Sequence, residues 1–236
     1  MLYLQSLINV LITMKYPFTL RLTLMLALVS VLASCRLAPS GIQSGDLLFV
    51  GLPLDYTVEG DSASMSDAIV AATGDEAQVN YIHVAILEQS ADTTFVIDAT
   101  LKHGVARYPL DTMKEEFRLK GGDYPLFVVK RLKDNKQRDR WISNAKQYIG
   151  QSYDLSFLPD NDEQYCSELV WNAYLDKNGK KIFPSAPMNF RSADGSFPPY
   201  WIWLFSRIGM PIPQDVEGTN PNAMARDERL IAVSGQ

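Results

Sequence analysis

Residues 165–170 read Tyr165-Cys166-Ser167-Glu168-Leu169-Val170, and Leu169, Val170, Ala173 and Tyr174 recur at helical spacing. The pattern predicts a helix over 165–175 whose start carries Cys166, directly after the polar loop Pro159-Asp160-Asn161-Asp162-Glu163-Gln164. That position decides what the thiol can do. Unpaired N–H groups and the positive end of the dipole at a helix N-terminus stabilise a thiolate, the nucleophilic form, and the Cys166 N–H is placed to help hold an oxyanion. The competing reading is a small buried hydrophobe, the usual fate of a free cysteine.

The other cysteine of the chain is Cys35. Lys15 and Arg21 precede an uncharged apolar run over 22–32 that ends in Leu32-Ala33-Ser34-Cys35. A run of about eleven residues is too short to cross a hydrocarbon core of roughly 30 Å and matches the h-region of a signal peptide. Its ending looks like the lipobox of bacterial lipoproteins, in which the cysteine takes a diacylglyceryl group and becomes the new N-terminus. Residues 1–35 are therefore expected to be a lipoprotein signal peptide, 36–44 a linker and 45–236 a single catalytic domain. The expected product is an exported bacterial lipoprotein held to the membrane through Cys35, facing the periplasm or the cell surface, on the outer membrane if the cell is Gram-negative. A plain transmembrane anchor that also uses the apolar stretch 2–12 is the alternative, and Met14 competes with Met1 as the start. With Cys35 assigned to lipid, Cys166 has no disulfide partner. Two histidines and one free cysteine are too few to complete a structural zinc site, so neither metal nor cofactor is expected.

A thiol nucleophile needs a base, and the choice lies between His83 and His103. His103 sits in the turn Lys102-His103-Gly104, whereas His83 lies inside the apolar run Tyr81-Ile82-His83-Val84-Ala85-Ile86-Leu87, where a polar ring needs a partner or a task. That run and Thr94-Phe95-Val96-Ile97-Asp98 flank the polar turn Gln89-Ser90-Ala91-Asp92, a hairpin pattern. If the turn is centred between Ser90 and Ala91, His83 faces Asp98, with Cβ atoms about 5 Å apart. The carboxylate then orients the imidazole, and Val84, Ile86, Phe95 and Ile97 collect on the core face. A slip of one residue would break the pairing.

The rest of the chain reads as a strand entered at Gly45-Asp46, a helix near 64–72, strands over 105–108 and 124–131 around a short helix at 111–117, and a helix over 136–149 stopped by Gly150. The ordered set of the Gly45-Asp46 strand, His83 in its strand, Val96-Ile97-Asp98-Ala99, Gly150-Gln151-Ser152-Tyr153-Asp154 and Tyr165 to Val170 resembles the circularly permuted branch of the NlpC-type papain-like enzymes, the YiiX/YaeF-like amidases. The resemblance covers roughly 45–174. It implies an α+β fold, a mostly antiparallel sheet packed against helices with the nucleophile at a helix N-terminus. It also implies Cys166 as nucleophile, His83 as base and an acidic third member. That family often has Glu where this chain has Asp98, which costs one methylene of reach.

Other residues carry plainer expectations. Asp46 caps the strand entry or lines the site, Glu168 is a partner of the helix dipole, and Tyr81 and Tyr165 are aromatics on half-buried surfaces or hydroxyl donors. Phe197-Pro198-Pro199-Tyr200-Trp201-Ile202-Trp203-Leu204-Phe205 is core over the sheet or the wall of an acyl pocket or membrane-facing surface, and residues after 214 read as a surface loop or lid. A formal charge of −5, a pI near 5.1 and no basic block beyond the N-terminus exclude a nucleic-acid partner. The expected function is cleavage of an amide or ester through an acyl-enzyme on Cys166, the substrate being a peptidoglycan stem peptide or an N-acyl or acyl-lipid molecule. A non-catalytic envelope-binding lipoprotein and an acyltransferase using the same Cys-His pair are the competing classes.

Overall fold

Leu47-Leu48-Phe49-Val50-Gly51-Leu52 is apolar on both faces, and in the computed structural model this run forms β1 (Leu47–Leu52), buried along its whole length near the middle of a six-stranded sheet. The structure describes residues 41–52, 64–74, 79–119 and 121–234. The leader, the lipobox with Cys35 and the greater part of the 36–44 linker lie outside the described residues, as does the stretch 2–12. In chain order, β1 is followed by α1 (Met65–Thr73), β2 (Asn80–Ser90), β3 (Thr93–Thr100), β4 (Gly104–Pro109), α2 (Leu110–Glu116), β5 (Leu126–Leu132) and α3 (Arg138–Lys146). Next come β6 (Ser152–Tyr153), β7 (Glu163–Gln164), α4 (Cys166–Ala173), β8 (Ala186–Pro187), α5 (Pro199–Ile208), β9 (Glu217–Gly218), α6 (Pro221–Ala225) and β10 (Leu230–Ala232).

The large sheet has the order β10-β5-β1-β2-β3-β4, with every pairing antiparallel. Alternate residues of its strands feed two cores. Leu47, Phe49, Val84, Ile86, Ile97 and Ala99 pack with Trp141 and Ala145 of α3 and Leu169, Val170 and Ala173 of α4. Leu48, Val50, Ala85, Leu87 and Val96 pack on the other face with Leu110 and Met113 of α2. This is the α+β architecture expected from the sequence. Trp141 stacks on Tyr174 at 4.7 Å, and the Tyr174 hydroxyl donates to the Gly45 carbonyl at 3.1 Å, which fixes both helices to the entry of β1.

Two expectations change in detail. The β2–β3 hairpin turns on Ala91 and Asp92, with Ala91 at φ 51° and Ser90 paired to Thr93, so the turn centre lies one residue further along than expected. The register therefore shifts by two, to Ile86↔Ile97 and Leu87↔Val96. Because side chains alternate with a period of two, His83 and Asp98 keep a common face but stand diagonally, not directly opposite. Val84, Ile86 and Ile97 enter the core, while Phe95 lies outside it beneath the Arg107 guanidinium, 3.5 Å from the ring centroid.

The second change concerns the C-terminal part. Residues after 214 are not merely loop or lid: Asn220 caps α6 by accepting from the Ala223 N–H, and β10 adds an edge to the sheet beside β5. Three residues of strand are too few to show an alternation, which is why the pattern gave no sign of β10. The aromatic run forms α5, whose Trp201, Leu204 and Phe205 pack with Ala68 of α1 and with Phe157, Tyr165 and Phe190, in a third cluster beside the sheet and not over it.

Candidate active site

Tyr165 holds an extended backbone at φ −94°, ψ 168° and Cys166 is the first helical residue of α4, so the N–H of Cys166 has no acceptor one turn back. Three polar contacts set the start of this helix. The Tyr165 N–H donates to Glu168 Oε2 at 3.4 Å, the Ser167 hydroxyl donates to the Thr219 carbonyl at 3.1 Å, and the Thr219 N–H donates to the Tyr165 hydroxyl at 3.1 Å. The Tyr165 hydroxyl is thus occupied in tying the helix start to the segment that follows β9. Tyr81 packs on Phe49 at 5.5 Å, and its N–H donates to the side chain of Asn222 in α6. Neither tyrosine is aimed at the thiol as a donor.

His83 and Asp98 meet. His83 Nε2 lies 2.7 Å from Asp98 Oδ1, and Asp98 is fully buried. The diagonal separation is still within reach of an imidazole and a carboxylate, so the shorter acid meets the ring. The second oxygen, Oδ2, accepts a hydrogen bond of 3.0 Å from the Tyr108 hydroxyl. With Nε2 engaged by the carboxylate, Nδ1 is the ring nitrogen left for the thiol. Burial works against a charged imidazole here. The charges of Asp98 and Cys166, with a side-chain hydrogen bond to each, outweigh it and raise the His83 pKa to about 10. Phe117 closes over the ring at 4.8 Å between centroids. The His83–Asp98 pair thus lies close enough to Cys166 for the cysteine's charge to act on the ring, where α4 packs against β2 and β3. His103 stands apart: its Nε2 is 3.0 Å from Glu116 Oε2 at the rim of α2.

Tyr108 is the site residue that sequence reading did not single out. Asp98 pairs with Ala106 and Val96 with Tyr108, so Tyr108 is the diagonal neighbour of Asp98 on the same face of β4. A polar residue two places along the third strand was the available signal. Burial and the Asp98 charge hold its phenol proton far more tightly than usual.

Of the remaining carboxyls, Asp46 caps the strand entry as expected by accepting from the Gln43 N–H, while Glu168 takes a different role. Glu168 is buried, and desolvation followed by the nearby Asp154 charge raises its pKa to about 8. At neutral pH it is mainly protonated, so it serves as a capping acceptor for the Tyr165 N–H and not as an anionic partner of the dipole. Asp46 lines no cleft with Cys166; it is buried in a two-pronged ion pair with Arg131, at 2.6 and 2.8 Å, and accepts from the Gln43 N–H.

Two cavities flank the site. On the Cys166 side a narrow slot with about 50 Å³ of free space is walled by Phe157, Tyr165, Met188, Phe190 and Trp201. On the His83 side a more open cavity of about 280 Å³ is bounded by Met65, Ile69, Leu101, Phe117, Lys102 and Glu116. Tyr153 borders both. Met188 sits against Gly218, where a Cβ would fall 2.2 Å from its sulfur, so the wall depends on the absence of a side chain at that position.

A family model described as permuted papain-like amidase enzymes, YaeF/YiiX, matches residues 42–234. The uncharacterized protein YiiX of Escherichia coli is 27% identical over 213 residues, which span 89% of this chain and 94% of that protein. A crystal structure of yiiX from Escherichia coli, described there as a metalloprotein, matches with a TM-score of 0.61 at 27% identity and covers 82% of this chain and 97% of that one. In the present chain, no group of three or more His, Cys, Asp or Glu side chains among the described residues is arranged to hold a metal ion. Both histidines face carboxylates instead, His83 facing Asp98 and His103 facing Glu116. These residues do not make a metal-ligand set.

Proposed function

Since the chain belongs to the permuted papain-like amidases of the YaeF/YiiX type, we propose that it is a lipid-anchored hydrolase of the bacterial cell envelope that cleaves an amide or ester through an acyl-enzyme on Cys166. The observation that carries this reading is the 2.7 Å contact between His83 and a fully buried Asp98, with the lone described cysteine beside the ring. An imidazole whose charge is stabilised by a carboxylate favours the thiolate–imidazolium pair, so the nucleophile is ready before substrate arrives. The Cys166 sulfur attacks the carbonyl carbon, and the carbonyl electrons move to oxygen, where the Cys166 N–H stabilises them. As the intermediate collapses, the C–N or C–O bond breaks and His83 delivers its proton to the leaving amine or alcohol. Water, losing a proton to His83, then attacks the thioester and restores the thiolate and the imidazolium. Asp98 fixes the ring tautomer throughout.

The slot next to Cys166 supports an acyl group as the part of the substrate retained on the enzyme. Its lining is mainly apolar, from Phe157, Met188, Phe190 and Trp201 with Asn189, Thr219 and Asn220 at its edge, which favours an apolar acyl group over a bulky polar peptide stem. The His83-side cavity, with Lys102 and Glu116 at its rim, is the favourable place for a polar leaving group. Anchoring through Cys35 would keep such an enzyme within reach of membrane substrates. The test incubates the protein with N-acylated and O-acylated lipids and, separately, with muropeptides, beside a Cys166→Ala control. Release of fatty acid by the wild type alone supports the reading. Preferential cleavage of muropeptides would transfer it to wall stems, and equal turnover by the Cys166→Ala protein would remove the mechanism.

A further inference from the structure

Among the described residues, none packs over the outer face of α5. Pro199, Ile202, Trp203, Ser206 and Arg207 recur at helical spacing and all are exposed, Ile202 by 55% and Trp203 by 54%, while Trp201, Leu204 and Phe205 on the inner face are buried. An isolated exposed apolar residue needs no explanation, but adjacent Ile and Trp on one helical face do. Charge marks the surface further. From residue 195 to 214 there is no Asp, Glu or Lys, and the only charge is Arg207, in a chain whose formal net charge is −5. Acidic groups are thus cleared from the face, and a guanidinium stands one helical turn from the indole. Trp203 also packs against Tyr200 at 5.7 Å, which makes a rigid amphipathic pair.

We propose that this face of α5 docks on the surface of a phospholipid bilayer. Indole and phenol rings favour the zone where apolar chains meet polar headgroups, Ile202 enters the apolar side of that zone, and Arg207 meets lipid phosphates. The complementarity is specific to a surface that is apolar within and anionic without. A protein partner would be expected to meet paired charges around an apolar centre. Docking also has a geometric consequence: Trp201, on the opposite face of the same helix, walls the slot beside Cys166, so the helix that touches lipid also borders the site. The surface does not depend on whether Cys166 is catalytic, nor on lipidation at Cys35.

The test uses the full-length chain bound to vesicles of phosphatidylethanolamine and phosphatidylglycerol. Trp203 is the most exposed of the four tryptophans, Trp141 and Trp201 being buried and Trp171 half-buried, so a Trp203→Phe protein identifies its emission. On vesicles, quenching of the Trp203 component by aqueous acrylamide should fall severalfold, and lipids brominated on the acyl chain should quench it. Ile202→Ser should weaken both effects, and its exposed position leaves the core untouched. Equal acrylamide access with and without vesicles would overturn the proposal even for a chain tethered by its lipid. So would protection that appears without vesicles as protein concentration rises, which would mean that a second copy covers the face.

Discussion

His83 occupies a buried site where desolvation alone would leave it neutral, yet the charges of Asp98 and Cys166 reverse that preference. In the proposed cycle the imidazolium is the working acid, so activity should persist to alkaline pH and decline as the pH approaches about 10. Asp98→Asn removes the largest influence that raises the pKa. The alkaline limb of kcat/KM should move to lower pH and the plateau fall by roughly 10²-fold; an unchanged limb would mean that Asp98 does not support the ring's charge. Tyr108→Phe deletes the bond to Asp98 Oδ2 and leaves the 2.7 Å contact in place. A loss of about tenfold in kcat with little change in KM is expected, since a hydrogen bond to a charged group is worth roughly 1.5–3 kcal/mol and only part of it bears on the transition state. Cys166 and His83 were legible as single residues from the helix start and the interrupted apolar strand. Tyr108 was not, because its relation to Asp98 exists only once β3 and β4 are in register.

Among the elements, the hairpin shows most clearly what a pattern can and cannot fix. The period of two along β2 and β3 determines faces, so His83 and Asp98 share one however the turn is drawn, provided the register moves by an even number. The turn itself is short, and its centre depends on Ala91 adopting φ 51°, a conformation that alanine seldom takes and that composition does not announce. Helix α4 shows a second kind of limit. Glu168 in a first turn reads as a dipole partner, but its burial beside Asp154 changes its charge state. A carboxyl raised from 4.5 to about 8 stabilises the fold fully below its unfolded pKa, and that contribution is lost as pH climbs through 8. The His83 contribution is likewise present below about 6.5 and lost toward 10, so both groups weaken the fold in the alkaline direction. Glu168→Gln keeps an acceptor for the Tyr165 N–H without a charge to bury. Thermal unfolding of this protein should show a melting temperature that falls less between pH 5 and pH 9 than that of the wild type, by a few degrees. Parallel curves would contradict the assignment.

Across the whole molecule, residues distant in sequence hold the site's frame. Asp46 at the entry of β1 and Arg131 at the end of β5 form a buried pair, with side chains 1% and 7% exposed. Asp46→Asn leaves the guanidinium without its counter-charge and should cost about 3–5 kcal/mol in urea unfolding, and a double change to apolar residues should recover much of that. A loss under about 1 kcal/mol would show that solvent reaches the pair. The C-terminal part was the least legible. Asn222 donates to Thr73 Oγ1 and accepts from the Tyr81 N–H, which links α6 to α1 and β2, and Thr219 clamps the start of α4. These are side-chain contacts between segments separated by 52 to 149 residues, and no local periodicity encodes them. The aromatic run could be recognised as apolar, but its division into a buried inner face and an exposed outer one required the helix axis to be known.

The central claim is that Cys166 is held as a reactive thiolate by His83 and Asp98. The direct test is the rate of alkylation of the folded protein by iodoacetamide across pH, read by mass at Cys166. Reaction faster than that of free cysteine at neutral pH, and slowed by Asp98→Asn, is the expected result. Alkylation that follows the titration of free cysteine, or that occurs only after unfolding, would contradict it.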